Sequence, residues 1–244
     1  MDALLFPKAL AMAALSTILV PAPSHAIPIT IDIEASVRFL DDRSDILGGA
    51  LSVGSVLIGS YTYESDATDD NPLATVGDYW HNAAPYGISL SSGGLTFATD
   101  PAGVLFLVEM VNNHYTGSDH YLLRSYNNLA LANGAAVEHI SWQLDDYSMA
   151  ALASASLPLG APVLSDWPAD QFYALTINGG LVDPDFPMPG YYRDSYFIRA
   201  DVISATLRGE APEAVPEPAA PALMAIGLGC LAFACRRGKR TAAP

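Results

Sequence analysis

The chain has 244 residues, 26 of them acidic and 11 basic, for a formal net charge of −15 at neutral pH. Residues 27–215 hold six arginines, no lysine and 24 of the acidic residues, a balance of −18. A body this acidic repels phosphate backbones and anionic lipid surfaces, which excludes nucleic acid as a partner.

In chain order, the first element is an address. Lys8 precedes an apolar run from Ala9 to Val20, Pro21 and Pro23 break it, and Ser24-His25-Ala26 supplies small residues at −3 and −1 of a cleavage site. Twelve apolar residues suit a secretory h-region better than a membrane span. The expectation is a signal peptide over 1–26, a mature start near Ile27 and export through the Sec translocon.

From residue 29 onward period-two alternation dominates. In ITIDIEASVRF, Ile29, Ile31 and Ile33 alternate with Thr30, Asp32 and Glu34, and Ala35, Val37 and Phe39 extend the apolar face. Further strands are expected at 55–63, 104–111, 119–126, 137–144, 170–177 and 194–209, with GISL and LTFAT joined through Ser91-Ser92-Gly93-Gly94. Asn133-Gly134 and Asn178-Gly179 read as turns. The one helix-like stretch, SMAALASASL, is short and uncapped. Many short strands with frequent turns and no helical alternation point to an all-β fold, an antiparallel β-sandwich or jelly-roll-like ectodomain over 27–208, with a closed barrel as competitor. Both cysteines, Cys230 and Cys235, fall beyond this body, so it carries no disulfide and depends on its core.

Several constellations along the body are candidates for chemistry. The loop Glu64–Pro72 offers Asp66, Asp69 and Asp70, with Asp78 following, as oxygen ligands for calcium, the one cofactor candidate. Its spacing departs from an EF-hand, because Asn71 stands where glycine should follow, and capped turns explain the same residues. His114 and His120 flank a Gly-Ser turn and suit a polar hairpin as well as a zinc pair. His139 is expected as a surface or cross-strand partner. Trp80 and Trp167, beside loop-like residues, are the aromatics expected at the surface, where they would stack on sugar rings, whereas Trp142 reads as core. No enzyme is expected. There is no G-x-S-x-G, the body has no cysteine, and Asp145-Asp146 would project to opposite faces of a strand.

The C-terminus reads as a second address. GEAPEAVPEP, residues 209–218, is a Pro/Glu/Ala stalk, and an apolar run from Ala219 to Cys235 follows. At about 1.5 Å per residue this run reaches roughly 26 Å, enough for a transmembrane helix. Arg236, Arg237, Lys239 and Arg240 complete the 219–240 unit and would hold its end in the cytoplasm. Pro216 and Pro218 keep the approach extended and accessible.

Val215-Pro216-Glu217-Pro218, an apolar helix and an Arg-rich end together resemble the PEP-CTERM sorting signal of Gram-negative bacteria. The resemblance implies export, processing near the Pro-Glu-Pro by an exosortase, anchorage in the inner membrane before that cut, and an association with exopolysaccharide and biofilm. GGALSVGSVLIGSYTYESDATDDNP and VGDYWHNAAPYGISLSSGGLTF (48–72 and 76–97) also resemble a recurring body pattern of such proteins, with Glu64 where an Asp is expected. No activity comes with either stretch. The expected role is therefore a non-catalytic structural protein of the cell surface or matrix. The alternative is a carbohydrate-binding module for exopolysaccharide, calcium-assisted or not, and a hydrolase is the remaining one.

Overall fold

The computed structural model describes residues 27–209, apart from 115–116, 169–172, 187 and 189. The expected signal peptide, all but the first residue of the expected 209–218 stalk, and the expected membrane helix with its basic tail lie outside the described residues.

The body is all-β. Ten strands run in chain order: β1 (Pro28–Asp41), β2 (Val56–Glu64), β3 (Val76–His81), β4 (Gly87–Ser92), β5 (Leu95–Ala98), β6 (Phe106–His114), β7 (Ser118–Ser125), β8 (Ala136–Asp146), β9 (Tyr173–Val182) and β10 (Tyr192–Leu207). All pairings are antiparallel and they form one sheet, ordered β3-β6-β7-β8-β9-β10-β1-β2-β4-β5. Two separate packed sheets were the expectation. The observed arrangement is one continuous sheet curled on itself, with β1 and β10 as the long strands at its middle.

The curl follows from bulges in the long strands. Register shifts interrupt β1 against β10 at Glu34/Ala35 and Val37/Phe39, β10 against β9 at Tyr192/Asp194, and β8 against β9 at Val137/His139. Each extra residue bends its strand and increases local twist. The two halves thus meet across one core. Tyr61 on β2 shares a 2.8 Å hydroxyl hydrogen bond with Tyr121 on β7, and its ring meets Trp142 of β8 edge-on at 5.9 Å. Phe97 of β5 packs on Tyr196 of β10 at 6.3 Å. Trp142 is fully buried, as its alternation predicts, and truncating such a ring costs about 3–5 kcal/mol.

Each sheet edge is met over part of its length by one of the chain's own loops, which pairs some of its donors and acceptors. On β3, Asp70 N–H donates to the Asp78 carbonyl at 3.0 Å. On β5, the segment 127–129 closes the edge, with Leu129 N–H donating to the Ala98 carbonyl at 2.9 Å. Gly93 and Gly94, at φ 57° and 84°, make the expected two-residue hairpin between β4 and β5. SMAALASASL is not a helix. It is an irregular loop strung from two wholly buried carboxylates, Asp146 and Asp119. Asp146 accepts N–H bonds from Ser148, Ala150 and Ala151 at 2.7–3.0 Å, and Asp119 accepts one from Leu152 at 2.8 Å. Burial raises the Asp146 carboxyl, but the Ser148 hydroxyl and these amides outweigh it and hold the group below its ordinary range.

Candidate functional site

The acidic loop does not gather its carboxylates. Asp69 accepts the N–H of Asn71 at 2.9 Å and of Asp78 at 3.0 Å with a single oxygen, Oδ1. Asp78 Oδ2 accepts from the Asn71 amide at 2.9 Å. Asp66 and Asp70 are exposed. Among the described residues no three His, Cys, Asp or Glu side chains come together as a metal site. The loop's carboxylates shape a turn and dock it on β3, with Asp69 and Asp78 in that docking and Asp66 and Asp70 exposed.

The two tryptophans part company. Trp167 is 4% exposed and meets Tyr121 edge-on at 6.5 Å, inside the core. A short 3-10 turn, Leu164–Asp166, tucks it inward, so the expected surface stacking at Trp167 is overturned. Trp80 instead projects from the outer face of β3, opposite to the core residue Tyr79, and stays half-buried. It stacks on Tyr126 at 5.8 Å and 30°, and Tyr126 meets His139 edge-on at 5.4 Å. His139 thereby takes the cross-strand role its position predicts.

Trp80, Tyr126 and His139 form a row across β3, the end of β7 and β8 on the outer face of the sheet. The row borders a hollow of ≈ 300 Å³ lined by Arg124, Tyr126, His139, Ser141, Gln143, Thr176 and Asn178. These side chains come from alternate positions of β7, β8 and β9 whose neighbours, Leu123, Ile140, Trp142, Leu175 and Ile177, fill the core. Period-two geometry therefore builds the hollow automatically: the residues between the core positions have nowhere else to point. Its chemistry is planar rings, amides, hydroxyls and one guanidinium, in a concavity of small-ligand size. Sequence reading found Trp80 and missed Tyr126, Arg124, Gln143 and Asn178. The signal available was their shared parity on adjacent strands.

A second hollow of ≈ 370 Å³ lies nearer the β3 edge, lined by Asn71, Val76, Asp78, Glu109, Val111, His114 and His120. Asp78 and Glu109 are directly opposite across β3 and β6. Burial, then the Asp78 charge, push the Glu109 carboxyl up. Here Ser118 Oγ, His120 and Asp145 are linked in series, at 2.7 Å to Nε2 and 2.6 Å from Nδ1. Gln143 donates to the same Asp145 oxygen at 2.8 Å. The Asp145 hydrogen bond leads the effects that raise the His120 pKa. The series has the order of a nucleophilic triad, with its Ser118 wholly buried. His114 bonds Thr75 Oγ1 through Nδ1 at 2.7 Å and lines the same hollow as His120.

Together, the fold and its outer face define an all-β domain with a polar, aromatic surface hollow. The family profile of the PEP-CTERM protein-sorting motif matches residues 214–240. The chain thus carries a PEP-CTERM protein-sorting motif at 214–240, and that motif implies export and an exosortase as processing partner. No curated protein and no solved structure matches it.

Proposed function

We propose that this exported protein is a non-catalytic, glycan-binding component of the cell surface or matrix, holding exopolysaccharide chains on the Trp80–Tyr126–His139 face. The observation that carries the reading is the aromatic row bordering a hollow of hydrogen-bonding side chains. Saccharides present apolar C–H faces and hydroxyl edges, so a ring platform beside amides and hydroxyls suits both at once. Trp80 and Tyr126 are left half-buried at a concave surface, whereas Trp142 and Trp167 lie in the core.

In the same reading the Sec translocon exports the chain, the apolar 219–235 run holds it in the inner membrane, and exosortase processing leaves it at the surface. Calcium is not required by this reading. The test is co-sedimentation of the purified chain with its host's extracted exopolysaccharide, with calcium and with EDTA. Binding is expected in both conditions, and Trp80→Ala is expected to weaken it about tenfold, the loss of roughly 1–2 kcal/mol of ring contact. Absence of binding in either condition would leave a purely structural matrix protein, and loss with EDTA alone would return the site to calcium.

A further inference from the structure

The glycan-binding reading leaves open what kind of saccharide fits, and the arginines of the body address that question. Carboxylates outnumber them four to one in residues 27–215. Arg38 pairs with Asp201 at 3.5 Å, Arg43 with Asp41 at 3.1 Å and Arg193 with Asp194 at 3.1 Å, and Arg208 pairs with Asp32. Arg199 has interactions of its own.

Arg124 is the exception. It is half-buried in the hollow beside Tyr126 and His139, and among the described residues no carboxylate forms an ion pair with it. Glu109, next along the face, is close enough for the Arg124 charge to lower its pKa, but it does not close a salt bridge. The groups sharing the hollow with Arg124 are Ser141, Gln143, Thr176 and Asn178, which are neutral, and His139. A guanidinium offers five N–H donors in a rigid fork that matches a carboxylate two-for-two. Resting on the glycan reading of this face, we infer that the saccharide is acidic, a uronate-bearing polysaccharide whose sugar carboxylate is taken by Arg124 while the ring lies against Tyr126 and Trp80.

The net charge of the body makes this selective rather than indiscriminate. A body carrying −18 over residues 27–215 repels polyanions at long range, so a polyuronate gains only where its carboxylate reaches the Arg124 fork. Neutral amides and hydroxyls around it then read ring hydroxyls without adding charge.

The experiment is affinity electrophoresis of the purified full-length chain in native gels containing polygalacturonate or polymannuronate, each beside its fully methyl-esterified form. Esterification keeps the rings and removes the charge. Retardation by a free-acid polymer is expected, with weakening of about tenfold or more on esterification and in Arg124→Gln, the size of one charge-assisted hydrogen-bonded contact. Arg124→Lys keeps the charge without the fork and should fall between. Thermal unfolding of the Gln variant should match the parent, which separates a ligand contact from a structural one. Equal retardation by acid and ester forms, or an unaffected Arg124→Gln, overturns the acidic assignment and leaves the glycan face standing. No retardation by any of the four polymers, with no binding to host exopolysaccharide either, overturns both.

Discussion

His81 and His120 sit on opposite sides of the sheet and should respond to pH in opposite directions. His81 is 2% exposed, and its Nε2 accepts the Glu64 N–H at 2.9 Å, so the neutral ring carries its proton on Nδ1. Burial leads in lowering its pKa. The unfolded chain therefore takes up a proton first, and stability falls as pH drops below the ordinary histidine value of about 6.5. For His120 the sign reverses. Its hydrogen bond to Asp145, helped by Glu109 and Asp119, raises the pKa. Its contribution is complete below the unfolded value and is lost as pH rises through the folded one. Urea unfolding between pH 5 and 8 reads both. His81→Gln, which keeps an acceptor for Glu64, should gain on the parent as pH falls. His120→Asn, which keeps an uncharged donor to Asp145, should lose most at low pH and least at high pH. Parallel difference curves for the two variants would contradict this assignment.

At the scale of the strand, glycine marks where the sheet is tightest. Gly179 and Gly180 lie inside β9, although Asn178-Gly179 reads in sequence as a turn. A Cβ on Gly179 would run into the Ala136 carbonyl of β8, and one on Gly180 into the Asp194 carbonyl of β10. Sequence cannot tell a glycine demanded by backbone approach from one demanded by positive φ, because both appear as the same residue in the same polar company. Gly179→Ala should cost about 1–3 kcal/mol, as overpacking does, whereas Gly134→Ala meets open space and carries only the cost of its φ of +84°, about 1 kcal/mol. Denaturation midpoints that rank the two in reverse order would refute the close-approach reading. The same limit explains what else was legible. Seven long alternating runs appear as strands near their expected bounds, because one face of each is core. Six-residue β3 escaped, since Gly77 and Asp78 blur its alternation. Trp167 looked exposed beside Pro168 because only the tertiary path of 164–166 turns it inward. The hollow was half legible: each residue's parity could be read, but which strands adjoin, and that Arg124 has no ion-pair partner, depend on the register of β7 on β8.

At the scale of the whole molecule, the chain enters and leaves the sheet at one end. Ile27 and Ser65 exchange hydrogen bonds at 3.1 Å, Arg208 N–H donates to the Thr30 carbonyl at 2.8 Å, and Ile31 faces Leu207 across β1 and β10. Arg208 is pinned to Asp32, and the described residues end one position further on, at Gly209. Sorting and folding information are separate along the sequence: the matched motif begins at residue 214 and the last strand ends at Leu207. Deleting residues 216–240 removes Pro216-Glu217-Pro218, the apolar run and the basic cluster without touching a described hydrogen bond. The truncated chain should move from the membrane fraction to the medium, because its retention signal is gone, while its thermal midpoint stays within about 1 °C of the parent, as expected when no core contact is lost. Fractionation of the host and a melting curve on the recovered protein check the two halves. Unchanged membrane retention would mean that the 27–209 body itself holds the envelope, and a midpoint lower by several degrees would mean that the tail packs on the domain.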